Sequence, residues 1–178
     1  MISQIIKTRH MRKYWIESLP GMPPLPPCPK GYSRPDRVTA SFIEEGYLVE
    51  YFEFPFDRDR TVALFFGPGE FLIRSHPVFS TVQFLDRGCL ADFSYGDVLR
   101  TLRNFPESKL HYLEMKRRYE QKVADRLTMS ALGGDLERLQ LLQQTQPWVL
   151  QKAPDSLVAG YLGVTPARLQ EMKQICKP

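Results

Sequence analysis

The sequence has little of what catalytic and metal sites usually need. It contains three cysteines and three histidines in 178 residues, and Cys28, Cys89 and Cys176 stand too far apart to form a metal-spaced pair. An odd number of isolated cysteines also excludes a disulfide framework, so reduced thiols are expected. The sequence contains no Ser/His/Asp catalytic set, no His or Cys residues at metal-binding spacing and no phosphate-binding P-loop. These absences argue against an enzyme, and we expect neither a cofactor nor a metal.

Long hydrophobic runs are absent as well. A membrane-spanning helix needs about 20 consecutive apolar residues, and no stretch of this sequence approaches that length. The segment Met1 to Lys13 is basic, but it lacks the apolar core of a signal peptide. We therefore expect a cytoplasmic protein without a membrane partner.

Charge is distributed unevenly along the chain. The net charge is +4, with +5 in residues 1–37, −4 in residues 38–106 and +3 in residues 107–178. Residues 21–29 hold five prolines, which excludes a helix there and predicts an extended arm. A basic arm and a weakly basic C-terminal half would suit a polyanion, although such faces are often only solvated.

The middle of the chain is rich in strand-forming residues. Short runs separated by turn signals predict an antiparallel roll or barrel. The predicted strands are Val38 to Gly46, Tyr47 to Phe54, Thr61 to Phe66, Thr81 to Leu85 and Leu90 to Phe93. Glu45-Gly46 is expected to join the first two strands as a hairpin turn.

Helical patterns follow from Tyr95 onward. We expect a short helix over 96–105, a long one over 107–129 and a third over 136–144 that is capped by Asp135. An apolar stripe recurs along one side of the long helix: Tyr112, Met115, Tyr119, Val123 and Leu127. Such a stripe packs either on the roll or on a second subunit.

The segment 153–175 gives the most specific local pattern. Asp155 is expected to cap one helix, and Gly163 to end it in a tight turn. Thr165 is expected to cap a second helix, with Pro166 at its first position. Helix, glycine turn and capped helix are typical of a helix-turn-helix motif. An ordinary helical hairpin has the same pattern.

Together these features resemble the Crp/Fnr family of transcription regulators, including its short Bacteroidetes members, from about residue 38 to the end. The motifs that carry the resemblance are Ile43-Glu-Glu-Gly46, Arg60-Thr-Val-Ala-Leu-Phe-Phe-Gly-Pro-Gly-Glu-Phe71, Phe93-Ser-Tyr-Gly-Asp-Val98 and Tyr161-Leu-Gly-Val-Thr-Pro-Ala-Arg-Leu169. The resemblance implies an α+β fold: a cupin-like antiparallel β-roll of the cyclic-nucleotide-binding type (38–106), a long dimerisation helix (107–129) and a C-terminal helix-turn-helix (130–178), after the arm 1–37. It further implies a homodimer on a palindromic operator in double-stranded DNA, modulated by a small-molecule effector.

The resemblance also implies an effector pocket formed by Gly69, Glu70, Arg74, Ser80 and Thr81. Cyclic-nucleotide binders of the family place an arginine before that Ser-Thr pair, and here Val78 and Phe79 stand there. A partly buried phosphate needs a charged partner, so we expect no tight binding of cyclic AMP or cyclic GMP. A rerouted loop with Arg74 or His76 is the alternative, and Glu70 has the structural alternative of capping the following turn.

Members of the family are known to carry an iron–sulfur cluster or haem. The iron–sulfur members need several clustered N-terminal cysteines, and Cys28 stands alone there. Haem on His10 or His76 stays open from the residues alone, although a lone histidine is more often a packing or surface residue.

By the same resemblance, the second helix of the motif reads DNA and the apolar stripe of the long helix holds the dimer. The DNA-binding candidates are Thr165, Arg168, Gln170, Glu171, Lys173 and Gln174. Gln170 and Glu171 depart from the family, which prefers basic or hydroxyl residues there. Residues 130–178 carry only five Lys/Arg against four Asp/Glu. The alternative is a ligand-sensing or protein-interaction module that kept the fold and lost specific DNA binding.

Overall fold

The computed structural model describes residues 38–52, 60–73 and 80–176, and the predicted arm 1–37 lies outside them. Within these ranges, two three-stranded antiparallel sheets have the orders β4-β1-β6 and β3-β2-β5. The strands are β1 (Val38–Glu45), β2 (Leu48–Phe52), β3 (Thr61–Phe66), β4 (Phe71–Ile73), β5 (Ser80–Phe84) and β6 (Cys89–Ser94). The predicted antiparallel roll is confirmed, and β4 is a strand that the pattern did not predict.

The turn at Glu45-Gly46 is a corner between the two sheets, so the predicted hairpin is wrong. β1 pairs with β4 and β6, whereas β2 pairs with β3 and β5. Gly46 has φ 88°, and a Cβ there would lie 2.5 Å from the carbonyl oxygen of Arg87. The corner after β1 therefore packs directly on the corner between β5 and β6, and only glycine fits at this contact.

The inside of the roll is filled by alternate residues of both sheets. Ile43, Leu48, Leu72 and Phe84 are completely or almost completely buried, and they belong to one cluster with Phe66. Burial of one face of each strand is what fixes the register of such sheets.

Six helices follow the strands within residues 95–176. They are α1 (Tyr95–Asn104), α2 (Ser108–Ala131), α3 (Asp135–Thr145), α4 (Val149–Lys152), α5 (Asp155–Leu162) and α6 (Pro166–Ile175). Ser94 and Asp97 form a reciprocal capping box that starts α1. The predicted helices lie within two residues of these bounds, and α4 was not predicted. Among the described residues, no helix combines the length and apolarity that crossing a bilayer requires.

The long helix α2 lies across the roll. Met115 and Tyr119 are 3% and 9% exposed and pack on strands of the same chain, while Tyr112 and Val123 are partly buried beside them. Leu127 is 65% exposed. Of the two alternatives for this stripe, Met115 and Tyr119 follow the first and face the roll, because the open side of the sheets must be covered.

The helix ends of the C-terminal unit follow the predicted pattern in part. Gly163 is left-handed at φ 69° and ends α5, and the Thr165 side chain accepts a hydrogen bond from the Arg168 backbone N–H at the start of α6. Asp135 and Asp155 are the first residues of their helices and make no capping bond, so their predicted cap roles are wrong. Their carboxylates bond to other side chains instead.

Replacing Gly163 with alanine should lower the free energy of unfolding by about 1–2 kcal/mol, because a left-handed conformation strains any residue with a Cβ. Gly133→Ala is the matched control, since a Cβ at Gly133 meets nothing within 4 Å and its φ is not positive. Urea unfolding of both variants measures the difference. Equal stability of the two variants would contradict the assigned turn.

Candidate effector pocket and DNA-facing helix

The turn between β3 and β4 is closed by its own carboxylate. The Glu70 Oε2 atom accepts a hydrogen bond from the Gly67 backbone N–H at 2.7 Å. Gly69 has φ 83° and donates its N–H to the Ile43 carbonyl at 2.8 Å. Glu70 thus caps the turn that precedes it, whereas the structural alternative placed it on the following turn.

The same carboxylate holds α2 on the roll. The Lys122 ammonium lies 2.6 Å from Glu70 Oε2 and donates to the Phe65 carbonyl at 2.8 Å. It also lies 4.7 Å from the centre of the Phe66 ring. The Lys122 side chain is 11% exposed, and this burial lowers its pKa, while Glu70 opposes the shift. We call this contact the Lys122–Glu70 clamp, and it occupies the carboxylate that the resemblance assigns to a ligand.

The predicted effector residues do not come together among the described residues. Gly69 and Glu70 line a crevice of about 60 Å³ beside α2, whereas small-molecule pockets are typically about 300–1,000 Å³. Ser80 and Thr81 pair with Phe52 and Tyr51, at the end of that sheet away from Gly67. Arg74 lies outside the described residues. The predicted pocket therefore stays a prediction without a geometric basis here.

A larger cavity lies between the roll and α2. Its volume is about 570 Å³. Most of its lining is apolar, including Phe52, Leu64, Ile73, Tyr119, Val123 and Leu127. Lys116, Glu120 and Arg126 supply its charged groups. Sequence reasoning missed this cavity because its lining comes from three strands and one helix that are distant in the chain.

The helix α6 packs on its neighbours through one face and leaves the other in solvent. Leu169 and Met172 are completely buried. The exposed face carries most of the predicted DNA-binding candidates, namely Thr165, Arg168, Gln170, Glu171 and Gln174, with Lys173 half-buried. This division is what a helix needs in order to present side chains to a groove.

Acidic side chains form hydrogen bonds with the polar side chains of this face. The Arg168 guanidinium donates hydrogen bonds to Asp135 at 3.2 Å and to Glu171 at 2.8 Å. These bonds raise the pKa of Arg168, and the bond to Glu171 contributes most. Asp155 accepts from Gln170 and, at 2.5 Å, from Lys173. Hydrogen bonds from Arg138, which contributes most, and from Arg168 hold the pKa of Asp135 below its ordinary value. Sequence reasoning missed Asp135 and Asp155 as partners because they lie at the starts of α3 and α5.

Glu70→Gln should lower the free energy of unfolding by about 1–3 kcal/mol without any ligand, since it leaves a buried ammonium without its carboxylate. Glu45→Gln, at an exposed glutamate, is the control and should change stability by less than about 0.5 kcal/mol. Thermal and urea unfolding measure both. An unchanged stability of Glu70→Gln would return this carboxylate to a ligand-binding role.

Comparisons with known proteins find similarity in structure only. No family model matches the chain, and no curated protein matches it. A cyclic nucleotide-binding domain containing protein from Listeria monocytogenes EGD-e is 13% identical with a TM-score of 0.69, over 98% of this chain and 89% of its own.

Two further solved structures give the same result. A CooA mutant from Carboxydothermus hydrogenoformans is 11% identical with a TM-score of 0.65, over 84% of this chain and 74% of its own. A protein assigned to the Crp/Fnr regulators from Eubacterium rectale is 10% identical with a TM-score of 0.59, over 98% of this chain and 86% of its own. The chain therefore has the fold of Crp/Fnr regulators: a cyclic-nucleotide-binding-type β-roll followed by helices.

Proposed function

We propose that this protein is a dimeric, effector-modulated DNA-binding transcription regulator. The observation that carries the proposal is the geometry of α5 and α6. A left-handed Gly163 ends α5, Thr165 caps α6, and α6 buries Leu169 and Met172 while its other face is exposed. This is the arrangement of a helix-turn-helix, whose second helix enters the major groove.

The exposed side chains of α6 suit mixed base and phosphate contacts. Arginine pairs well with guanine and glutamine with adenine, and a glutamate accepts from cytosine. Arg168, Gln170 and Glu171 are the proposed base readers, with Thr165, Lys173 and Gln174 beside them. Asp135 and Asp155 already bond side chains of this face from neighbouring helices, so DNA has to break these bonds. Binding is therefore expected to be modest and salt-sensitive.

Dimerisation is proposed on the outward face of α2. Seven exposed residues follow heptad spacing along this 24-residue helix, and we call them the outer stripe: Leu110, Leu113, Arg117, Glu120, Ala124, Leu127 and Ala131. Leu110, Leu113 and Leu127 are 74%, 58% and 65% exposed. Alternating steps of three and four residues are the seam of a two-stranded coiled coil. Of the stripe predicted from sequence, only Leu127 belongs to it.

A two-fold dimer places two copies of α6 on two half-sites. The operator is then palindromic, with half-sites about one helical turn apart. An effector bound between the roll and α2 would bias the positions of the two copies. Cyclic AMP and cyclic GMP are not proposed, because Val78 and Phe79 stand where the family places an arginine and the Lys122–Glu70 clamp occupies the carboxylate of the predicted pocket.

Arg168→Ala and Gln170→Ala should each weaken binding to the operator, once it has been selected from a random DNA pool, by about 5- to 150-fold, since each removes a base contact. Gln143→Ala, at an exposed glutamine of α3, is the matched control and should bind as the wild type does. Fluorescence anisotropy with a labelled duplex measures all three. If both α6 variants bind normally, α6 is not the reading helix.

Asp155→Asn should have the opposite effect on DNA affinity in the same binding experiment. Removing this charge frees Lys173 and Gln170, so affinity should rise several-fold. An unchanged or lower affinity would mean that Asp155 positions α6 instead of competing with DNA.

Leu113→Asp should raise the dissociation constant of the dimer about tenfold or more, because a symmetric seam loses two leucine contacts of about 1.5–3 kcal/mol each. Tyr95→Asp is the matched control, since Tyr95 is 65% exposed but lies outside α2. Sedimentation velocity over a concentration series measures both variants.

Met115→Ala separates the two faces of α2. It should lower the free energy of unfolding by about 2–5 kcal/mol as a core truncation and leave the dimer constant unchanged. A wild type that is monomeric, or a Leu113→Asp variant that dimerises normally, would refute the outer stripe.

A further inference from the structure

We infer that the cavity between the roll and α2 binds a ligand with an apolar body and a single anionic group, and that Arg126 holds the anion. This inference deepens the effector part of the proposed function and rests on it. It names the chemical class of the ligand from the lining of the cavity and from the one cation there that lacks an acidic partner among the described residues.

The size and lining of the cavity define the apolar part. A volume of about 570 Å³ lies within the range of about 300–1,000 Å³ that is typical of small-molecule sites. Side chains from β2, β3 and β4 line one wall, and Tyr119 and Val123 of α2 line the other. Leu127, which is 65% exposed and belongs to the outer stripe, lies at the edge of the cavity. Such a lining offers burial to hydrocarbon or aromatic groups and few partners to the hydroxyls of a sugar.

Arg126 differs from its basic neighbours in α2. Lys116 pairs with Glu120, Arg117 and Arg118 share Glu114, and Lys122 pairs with Glu70. The Arg126 guanidinium donates to the Ser130 hydroxyl at 2.9 Å and lies 4.3 Å from the centre of the Tyr161 ring. Across residues 38–52, 60–73 and 80–176, no carboxylate comes within ion-pair distance of it.

The surroundings of Arg126 make an incoming anion favourable. Burial lowers the pKa of Arg126 and the like charge of Arg138 lowers it further, while Tyr161 opposes the shift in part. A group that is charged although its surroundings disfavour charge gains from an anionic partner. The planar guanidinium also matches a carboxylate or a phosphate with two parallel bonds.

The remaining charges of the lining do not compete for the ligand. Lys116 and Glu120 lie 3.6 Å apart and neutralise each other. Arg126 is therefore the net charge of the described lining, which favours a ligand with one negative group over a neutral or cationic one.

Titration calorimetry on the full chain tests this inference with three probes of one chain length. The probes are decanoate, decyl phosphate and 1-decanol, each below the concentration at which it aggregates. We expect decanoate or decyl phosphate to bind more tightly than decanol. Whichever of the two binds tighter shows whether the anion is a carboxylate or a phosphate.

Arg126→Gln should lower the affinity for the anionic probes about tenfold or more and leave decanol unchanged, while Arg126→Lys should keep part of the preference. Arg103→Gln, at an exposed arginine of α1, is the control. Val123→Trp should fill the cavity and weaken all three probes with Arg126 intact, so the site is tested even if Arg126→Gln unfolds.

The inference fails if no probe binds, if decanol binds as tightly as the anions, or if Arg126→Gln binds the anions normally. The titrations contain no DNA, so their outcome is separate from the DNA-binding proposal. Probe binding as expected without retention of any duplex would keep the ligand site and reject the DNA reader. Retention of an operator without probe binding would keep the DNA reader and reject the ligand site.

Discussion

The packing of α2 across the roll is the constraint on which the rest of the structure depends. One helix supplies Met115 to one buried cluster, Tyr119 to a second and Met129 to a third. The Lys122–Glu70 clamp ties the middle of this helix to the turn between β3 and β4. Because interiors are close-packed, the roll and the C-terminal helices cannot shift independently of α2.

The third cluster joins the C-terminal helices directly to the roll. Phe65 of β3 lies 5.0 Å from the Tyr161 ring of α5, edge to face, and Arg126 covers the same tyrosine. Burial raises the Tyr161 pKa to about 12, so this residue is neutral at physiological pH. Arg126 thus contacts both the cavity and α5. In our account, an anion bound to Arg126 affects α5, the first helix of the proposed DNA-binding motif, through the contact between Arg126 and Tyr161.

Local signals made part of this structure predictable, and long-range contacts decided the rest. Gly163 and the Thr165-Pro166 pair specify their turn and cap within a few residues, and the sequence predicted them correctly. Gly46 predicts a turn, but the strands on either side of it belong to different sheets, because β1 pairs with strands whose residues lie 29 to 56 positions further along the chain. Apolar residues on two faces of α2 have similar spacing, so only the roll shows which face is inside. The partners of Asp135 and Asp155, and the cavity itself, depend on tertiary packing.

Selection of bound duplexes from a random DNA pool, with the full-length protein at physiological salt, tests the central claim most directly. Our account predicts recovery of a palindrome whose half-sites lie about one helical turn apart, because two copies of α6 related by a two-fold axis must each enter a major groove. A single half-site without symmetry would contradict the dimer on the outer stripe. Recovery of no sequence above background, with decanoate absent or present, would contradict the DNA reader and leave a ligand-sensing or protein-interaction module.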